Sequence, residues 1–354
     1  MVSDATSDAV STEGLKMLAS ELLAEDADSG AAVSGRVADI LRPGGALARM
    51  DAVAVWLAGW QRTSTPAVDK PAALVFAGDH GVTGEGVSAY PAEVTGLMLA
   101  AFNSGRATIS ALASVAGATV RAIDVGVGEP TGNIRHEPAM DQDRFDAAWR
   151  AGSDAVAETD TDLLILGEMG IGNTTAAAAV SAAMCMSAGD AVELASFVGR
   201  GTGVDDEALA SKTLVVRDAL ARMGETDPIS VLREVGGTEL VAIAGAMAEA
   251  RKRSIPVLLD GYIATAPALV LHAVDPAWTE HMRAAHRSAE PGHRLALENL
   301  GKEPLLELDF RLGEASGAMI AVPLLQMACR GVTDVATFTE WFADNPPAPA
   351  GPVE

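Results

Sequence analysis

Two glutamates stand in nearly the same setting, each between glycines at a junction of apolar segments. Glu168 lies in Gly167-Glu168-Met169-Gly170-Ile171-Gly172-Asn173-Thr174-Thr175, after the strand-like Leu163 to Leu166 and before an alanine-rich segment. Glu314 lies in Arg311-Leu312-Gly313-Glu314-Ala315-Ser316-Gly317, followed by the mostly apolar Ala318 to Ala328. A carboxyl group in a glycine-lined, partly dry pocket has a raised pKa and can serve as a general base. A helix N-terminal region, where the dipole favours an acid, gives the same pattern, and periodicity leaves both open.

Other segments suit an anion. In Gly167 to Thr175 the glycines let backbone N–H groups approach a ligand, and Asn173 or Thr174 can cap the following helix, whose free N–H groups favour a phosphate. No Lys follows these glycines as in a P-loop, and the third Gly of the dinucleotide fingerprint is missing. A tight strand-to-helix turn with no ligand also fits. Val198-Gly199-Arg200-Gly201-Thr202-Gly203, trailed by Lys212, reads either as an anion pocket or as a surface loop. Val235-Gly236-Gly237-Thr238-Glu239 reads equally as a third such turn or as a helix start with Thr238 as cap.

The histidines are less specific. Asp79-His80-Gly81-Val82 invites a metal or triad reading, but no His-x-x-x-His, Cys-x-x-Cys or Gly-x-Ser-x-Gly element supports it, so a hydrogen-bonded turn is expected and no metal. His286 to His293 is the densest polar cluster, open to a capping or a site role.

These residues need strand ends to position them. Short apolar runs recur beside a Gly and an acid: Ala72 to Gly78 before Asp79, Val120 to Gly126 around Asp124, Asp162 to Gly167 before Glu168, and Ile255 to Leu259 before Asp260. Between them, Ala-rich segments such as Thr174 to Ala188 and Glu239 to Lys252 read as helices. The alternation predicts an α/β fold with a parallel sheet and helices on both faces, its ligands bound beyond the carboxyl ends of the strands. The N-terminal stretch to about Arg62 has helical apolar spacing, as in Leu15, Leu18, Ala19 and Leu22, and reads as helices packing on the main body. The proline-rich Asn345 to Glu354 is expected to be disordered.

Composition removes whole classes of function. The chain has 354 residues and a formal net charge of −23, so it offers no basic footprint for nucleic acid or anionic lipid. Aromatics are only 4% against 49% hydrophobic residues, so the core is built from Ala, Val, Leu and Ile. Cys185 and Cys329 cannot make a disulfide framework. Met1 to Gly14 carries Asp4, Asp8 and Glu13 and no signal-peptide pattern, and the uncharged Gly170 to Gly189 is too polar for a membrane span. A cytoplasmic protein is expected.

The ordered set of segments resembles the nicotinate-nucleotide:dimethylbenzimidazole phosphoribosyltransferase family, which makes the lower-ligand nucleotide of cobalamin. The likeness runs through Phe76 to Val82, Glu85 to Pro91, Gly167 to Thr175, Gly199 to Gly203 with Lys212, Gly236 to Glu239, Leu259 to Gly261, His286 to His293 and Arg311 to Gly317. It implies transfer of the 5-phosphoribosyl group from nicotinate mononucleotide to dimethylbenzimidazole, giving α-ribazole 5′-phosphate and nicotinate, with no metal or redox cofactor.

The resemblance also implies a Rossmann-like α/β domain over residues 66–319, and a small helical domain from residues 1–65 and 320–344, assembled as a homodimer. Glu314 falls on the family's general base and Glu168 on its other active-site carboxylate. Gly170, Gly172, Asn173, Thr174, Gly199, Arg200 and Gly201, with Lys212, would hold the phosphate, and Ser88, Tyr90, Met169 and Leu312 would face the aromatic base. Two departures stand out: Gly132 to Glu137 runs straight into Pro138-Ala139-Met140 as a shortened loop, and Ala315 replaces the glycine more usual after the catalytic Glu. Transfer to another base (adenine or a phenolic) and a non-catalytic benzimidazole-binding homologue are the alternatives. A dinucleotide dehydrogenase is disfavoured by the incomplete glycine fingerprint.

Overall fold

A computed structural model describes residues 9–186, 194–201, 203–224 and 226–346. Thr202, Ala188, most of the expected disordered tail and the first eight residues of the segment tested for a signal peptide lie outside them. By contacts the chain divides into two units, Met1–Leu23 with Lys70–Ala321, and Ala24–Asp69 with Val322–Glu354.

The first unit holds the sheet. Five strands, β1 (Pro71–Ala77), β2 (Thr119–Asp124), β3 (Leu163–Met169), β4 (Val257–Leu259) and β5 (Met282–Ala284), pair in parallel in the order β2-β1-β3-β4-β5. This is the flavodoxin-like doubly wound order, whose switch point lies between β1 and β3. All seven residues of β1 are buried, as expected of an inner parallel strand covered by helices on its faces. The partly exposed β2, carrying Arg121, is an edge. Four of the five strands fall on the apolar runs singled out in the sequence. Met282–Ala284 does not, because Arg283 interrupts its apolar run and no Gly and acid follow it.

The helices Asn173–Met186 and Thr238–Lys252 occupy the two alanine-rich segments. Small residues there let backbones meet: a Cβ on Gly152, in the helix Gln142–Ala157, would overlap Ala242 O. That close seating fixes the N-terminal turn of Thr238–Lys252, and Glu239 with it.

Residues 9–23, which the resemblance assigns to the small helical domain, belong instead to the α/β unit. The helix Thr12–Ala19 buries Leu15 and Ala19 in its core, and Trp278 Nε1 donates to Leu15 O at 3.2 Å. The second unit packs Val33, Ala54, Ala58 and Val332 together from the helices Ala27–Asp39, Ala48–Gln61 and Ser316–Thr333. Arg36 ties it by donating to Val332 O, Val335 O and Glu340. No helix among the described residues is long and apolar enough to cross a membrane. Cys185 and Cys329 are both buried.

Candidate active site

The strand carboxyl ends carry acids. Glu168 is the penultimate residue of β3, Asp260 follows β4, and Asp79 and His80 follow β1. Glu239 reaches the same region from the first turn of Thr238–Lys252, and Glu314 from the loop before Ser316–Thr333. An open-mouthed cavity of about 100 Å³ lies here, at the strand carboxyl ends where such sheets bind their ligands. Its walls include Glu168, Met169, Gly170, Asn173, Thr174, Gly201, Leu312 and Glu314.

The two glutamates are held differently. Asn173 Nδ2 donates to Glu168 Oε2, yet burial, and then the charges of Asp260, Glu239 and Glu314, push the Glu168 carboxyl well above the ordinary range. Glu314 is also buried, its Oε2 without a hydrogen-bond partner, and burial followed by the Asp260 charge pushes its pKa up to about 7. Glu314 and Ala315 both take left-handed backbone, at φ +62° and +64°. For residues with a Cβ this costs roughly 1–2 kcal/mol each, and such strain is characteristic of functional loops. Gly167 makes the arrangement fit: a Cβ there would stand 2.5 Å from Ala315 N.

Asp260 joins the two sides of the site. Its Oδ1 accepts from Ala318 N at 2.8 Å, in the first turn after Glu314, and pairs with His286 Nε2 at 3.2 Å. These contacts hold the Asp260 carboxyl below its ordinary range against the opposing effect of burial. His286 lines the cavity, and its Nδ1 has no hydrogen-bond partner. His293 is a structural neighbour: its Nδ1 accepts from Ser288 N at 2.9 Å, so Nε2 carries the proton toward Thr265 Oγ1, and burial lowers its pKa to about 3. On the β1 side, His80 Nε2 pairs with Glu239 Oε1 at 2.6 Å, both residues buried.

A cationic corner faces the glycine turns. Lys212 Nζ, buried, donates to Thr174 Oγ1 at 2.7 Å and Gly199 O at 3.0 Å, and burial lowers its pKa to about 8. Gly201 and Thr174 line the cavity beside it.

Not every expected residue is brought together. Arg200 donates to Val204 O and Asp206 on an exposed rim and does not line the cavity. Tyr90 is half exposed and its N–H donates to Ser88 Oγ; neither residue lines the cavity. Gly172, at φ +95°, shapes the turn from beneath, and Gly199 contributes its carbonyl to Lys212 rather than a wall. Conversely, Asp260, His286, Glu290 and Glu239 join the site with no sequence signal of their own that marks them, although each lies in a segment rich in acids or histidines. What was missing was spatial: 26 residues separate Asp260 from His286, and 159 separate His80 from Glu239. The Gly132 to Glu137 segment is tied down by Asn133 Nδ2 donating to Glu85 and by Arg135 donating to Glu85 and Asp218.

A family model described as phosphoribosyltransferase matches residues 23–341. A nicotinate-nucleotide--dimethylbenzimidazole phosphoribosyltransferase of Cereibacter sphaeroides is 45% identical over 332 residues, 93% of this chain and 96% of that protein. The enzyme of the same name from Methylorubrum extorquens is 46% identical over 88% of this chain and 90% of its own length. Among solved structures, CobT from Thermus thermophilus superposes with a TM-score of 0.84 at 41% identity, covering 89% of this chain and 98% of that one.

Proposed function

The chain belongs to the nicotinate-nucleotide--dimethylbenzimidazole phosphoribosyltransferase family, and from that premise we propose that it transfers the phosphoribosyl group of nicotinate mononucleotide to dimethylbenzimidazole with Glu314 as general base. One observation carries the assignment of the base: Glu314 is a buried carboxyl group at the cavity wall, with a free oxygen and a pKa near neutrality. A general base works best when its pKa lies close to the working pH.

In the proposed step, one ring nitrogen of the benzimidazole attacks the anomeric carbon of the ribose. The bond from that carbon to the pyridinium nitrogen breaks, and its electron pair returns to the ring, releasing nicotinate with a neutral ring nitrogen. The other benzimidazole nitrogen loses its proton to Glu314. Positive charge passes from the pyridinium through the anomeric carbon to the attacking azole, so an anionic wall stabilises the transition state throughout. Glu168, strongly desolvated, is drawn to its carboxylate form by a cationic ring beside it. Gly201 N–H, Thr174 and Lys212 are assigned to the 5′-phosphate, and Met169 and Leu312 to the aromatic rings.

Purified protein given both substrates is expected to release nicotinate only when the acceptor is present, with a product of the mass of α-ribazole 5′-phosphate. An acceptor panel including adenine and a phenol tests the choice of base. Absence of release with every acceptor would remove the proposal.

A further inference from the structure

The cationic corner of the cavity already contains an acid. Glu290 precedes the helix Pro291–Asn299, and its carboxylate folds onto the Gly199–Gly201 stretch. Oε1 accepts from Gly201 N at 2.9 Å. Oε2 lies against Gly199, where a Cβ would collide with it, and is buried without a hydrogen-bond partner. The charged groups facing this carboxylate are Lys212 and Arg311, which both attract it; the nearby Tyr262 phenol is neutral and donates its O–H to Phe197 O. Burial nevertheless outweighs that attraction and keeps the Glu290 carboxyl above its ordinary range.

We propose that Glu290 is an internal occupant of the phosphate corner, and that the donor's phosphate must displace its carboxylate from Gly201 N–H, so that Glu290 sets the affinity for the donor. This rests on the assignment of Gly201, Thr174 and Lys212 to phosphate. The physical basis is that one N–H cannot serve two anions, and that two anions in one desolvated corner repel strongly. A carboxylate in place also satisfies Gly201 N–H and keeps Lys212 compensated before substrate arrives, which a buried cation needs.

The displacement has a sign that a merely structural role lacks. If Glu290 only held the glycine turn in shape, weakening it would weaken phosphate binding. If it competes with phosphate, removing its charge tightens binding.

Inorganic phosphate is the probe, used as an inhibitor against nicotinate mononucleotide with the full-length protein. Glu290→Gln retains an oxygen to accept from Gly201 but carries no charge. Its phosphate inhibition constant and its KM for the donor are both expected to fall about tenfold. Glu290→Ala, which withdraws the group altogether, is expected to shift both in the same direction and serves if the Gln variant does not fold. A wild-type enzyme that turns over its substrates, with variants whose phosphate inhibition is unchanged or weaker, overturns the displacement and leaves the transfer reaction standing. A wild-type protein that neither releases nicotinate nor responds to phosphate overturns both.

Discussion

Gly313 is seated on Glu168. Its φ is +81°, and a Cβ at that position would stand 2.5 Å from Glu168 Oε1, so the loop that carries Glu314 closes directly over the other glutamate. The two acids thus share one desolvated region, and each acid's carboxyl is pushed upward mainly by burial. A pair of carboxyl groups in such a place is costly unless a cation enters, which is the charge type the proposed donor brings.

Removing the base is the most direct test of the proposed chemistry. Glu314→Ala is expected to lower kcat by roughly 100- to 10,000-fold, the span of general-base contributions, without unfolding the protein. Nicotinate release followed by absorbance or chromatography measures it, and turnover at the wild-type rate would take the role from Glu314.

The pH dependence follows from two groups of opposite sign. Glu314 must lose its proton to accept one, so kcat/KM rises as pH climbs through about 7. Lys212 must keep its proton to attract phosphate, so kcat/KM for the donor falls as pH climbs through about 8. A narrow bell between these values is expected in steady-state profiles.

Asp260 offers a way to move one limb alone. Asp260→Asn keeps an oxygen for Ala318 N–H but removes the charge that raises Glu314, so the rising limb should shift to lower pH. An unshifted profile would mean that burial by itself sets the basicity of Glu314.

Gly167 is where the loop rests on the sheet. Gly167→Ala sets a methyl group against the backbone of Glu314 and Ala315, which has no flexible end to yield. A loss of about 2 kcal/mol is expected from overpacking, together with reduced turnover as Glu314 is displaced. Thermal denaturation and kinetics on the same preparation would separate the two effects.

The His80–Glu239 pair joins the β1 turn to the helix Thr238–Lys252. His80→Ala leaves a buried carboxyl oxygen without its partner and should cost about 3 kcal/mol in urea unfolding. A double-mutant cycle with Glu239→Ala should show that most of this loss is shared. Strictly additive losses would mean that each residue acts through other neighbours.

The sequence by itself determined the alternation of apolar runs and alanine-rich segments, and so the parallel sheet with acids at its carboxyl ends. That information is local: buried parallel strands are continuously apolar, and glycine and acid mark where they stop. It also pointed to Glu168, Asn173, Thr174 and Glu314, because glycines around a polar residue are visible over a few positions. Helical spacing shows that Leu15 is buried but not against what; Trp278 decides that, and puts the first helix on the α/β unit and not in the small helical domain that the resemblance implies. Nor could the sequence separate Arg200, which turns to Asp206 on the rim, from Lys212, which turns inward, because both belong to the same glycine-rich run and its trailing segment. Only the tertiary structure brought Asp260 to His286, Glu239 to His80 and Glu290 to Gly201. Those pairings depend on which loops meet at one edge of the sheet, and strand order, not spacing along the chain, sets that meeting.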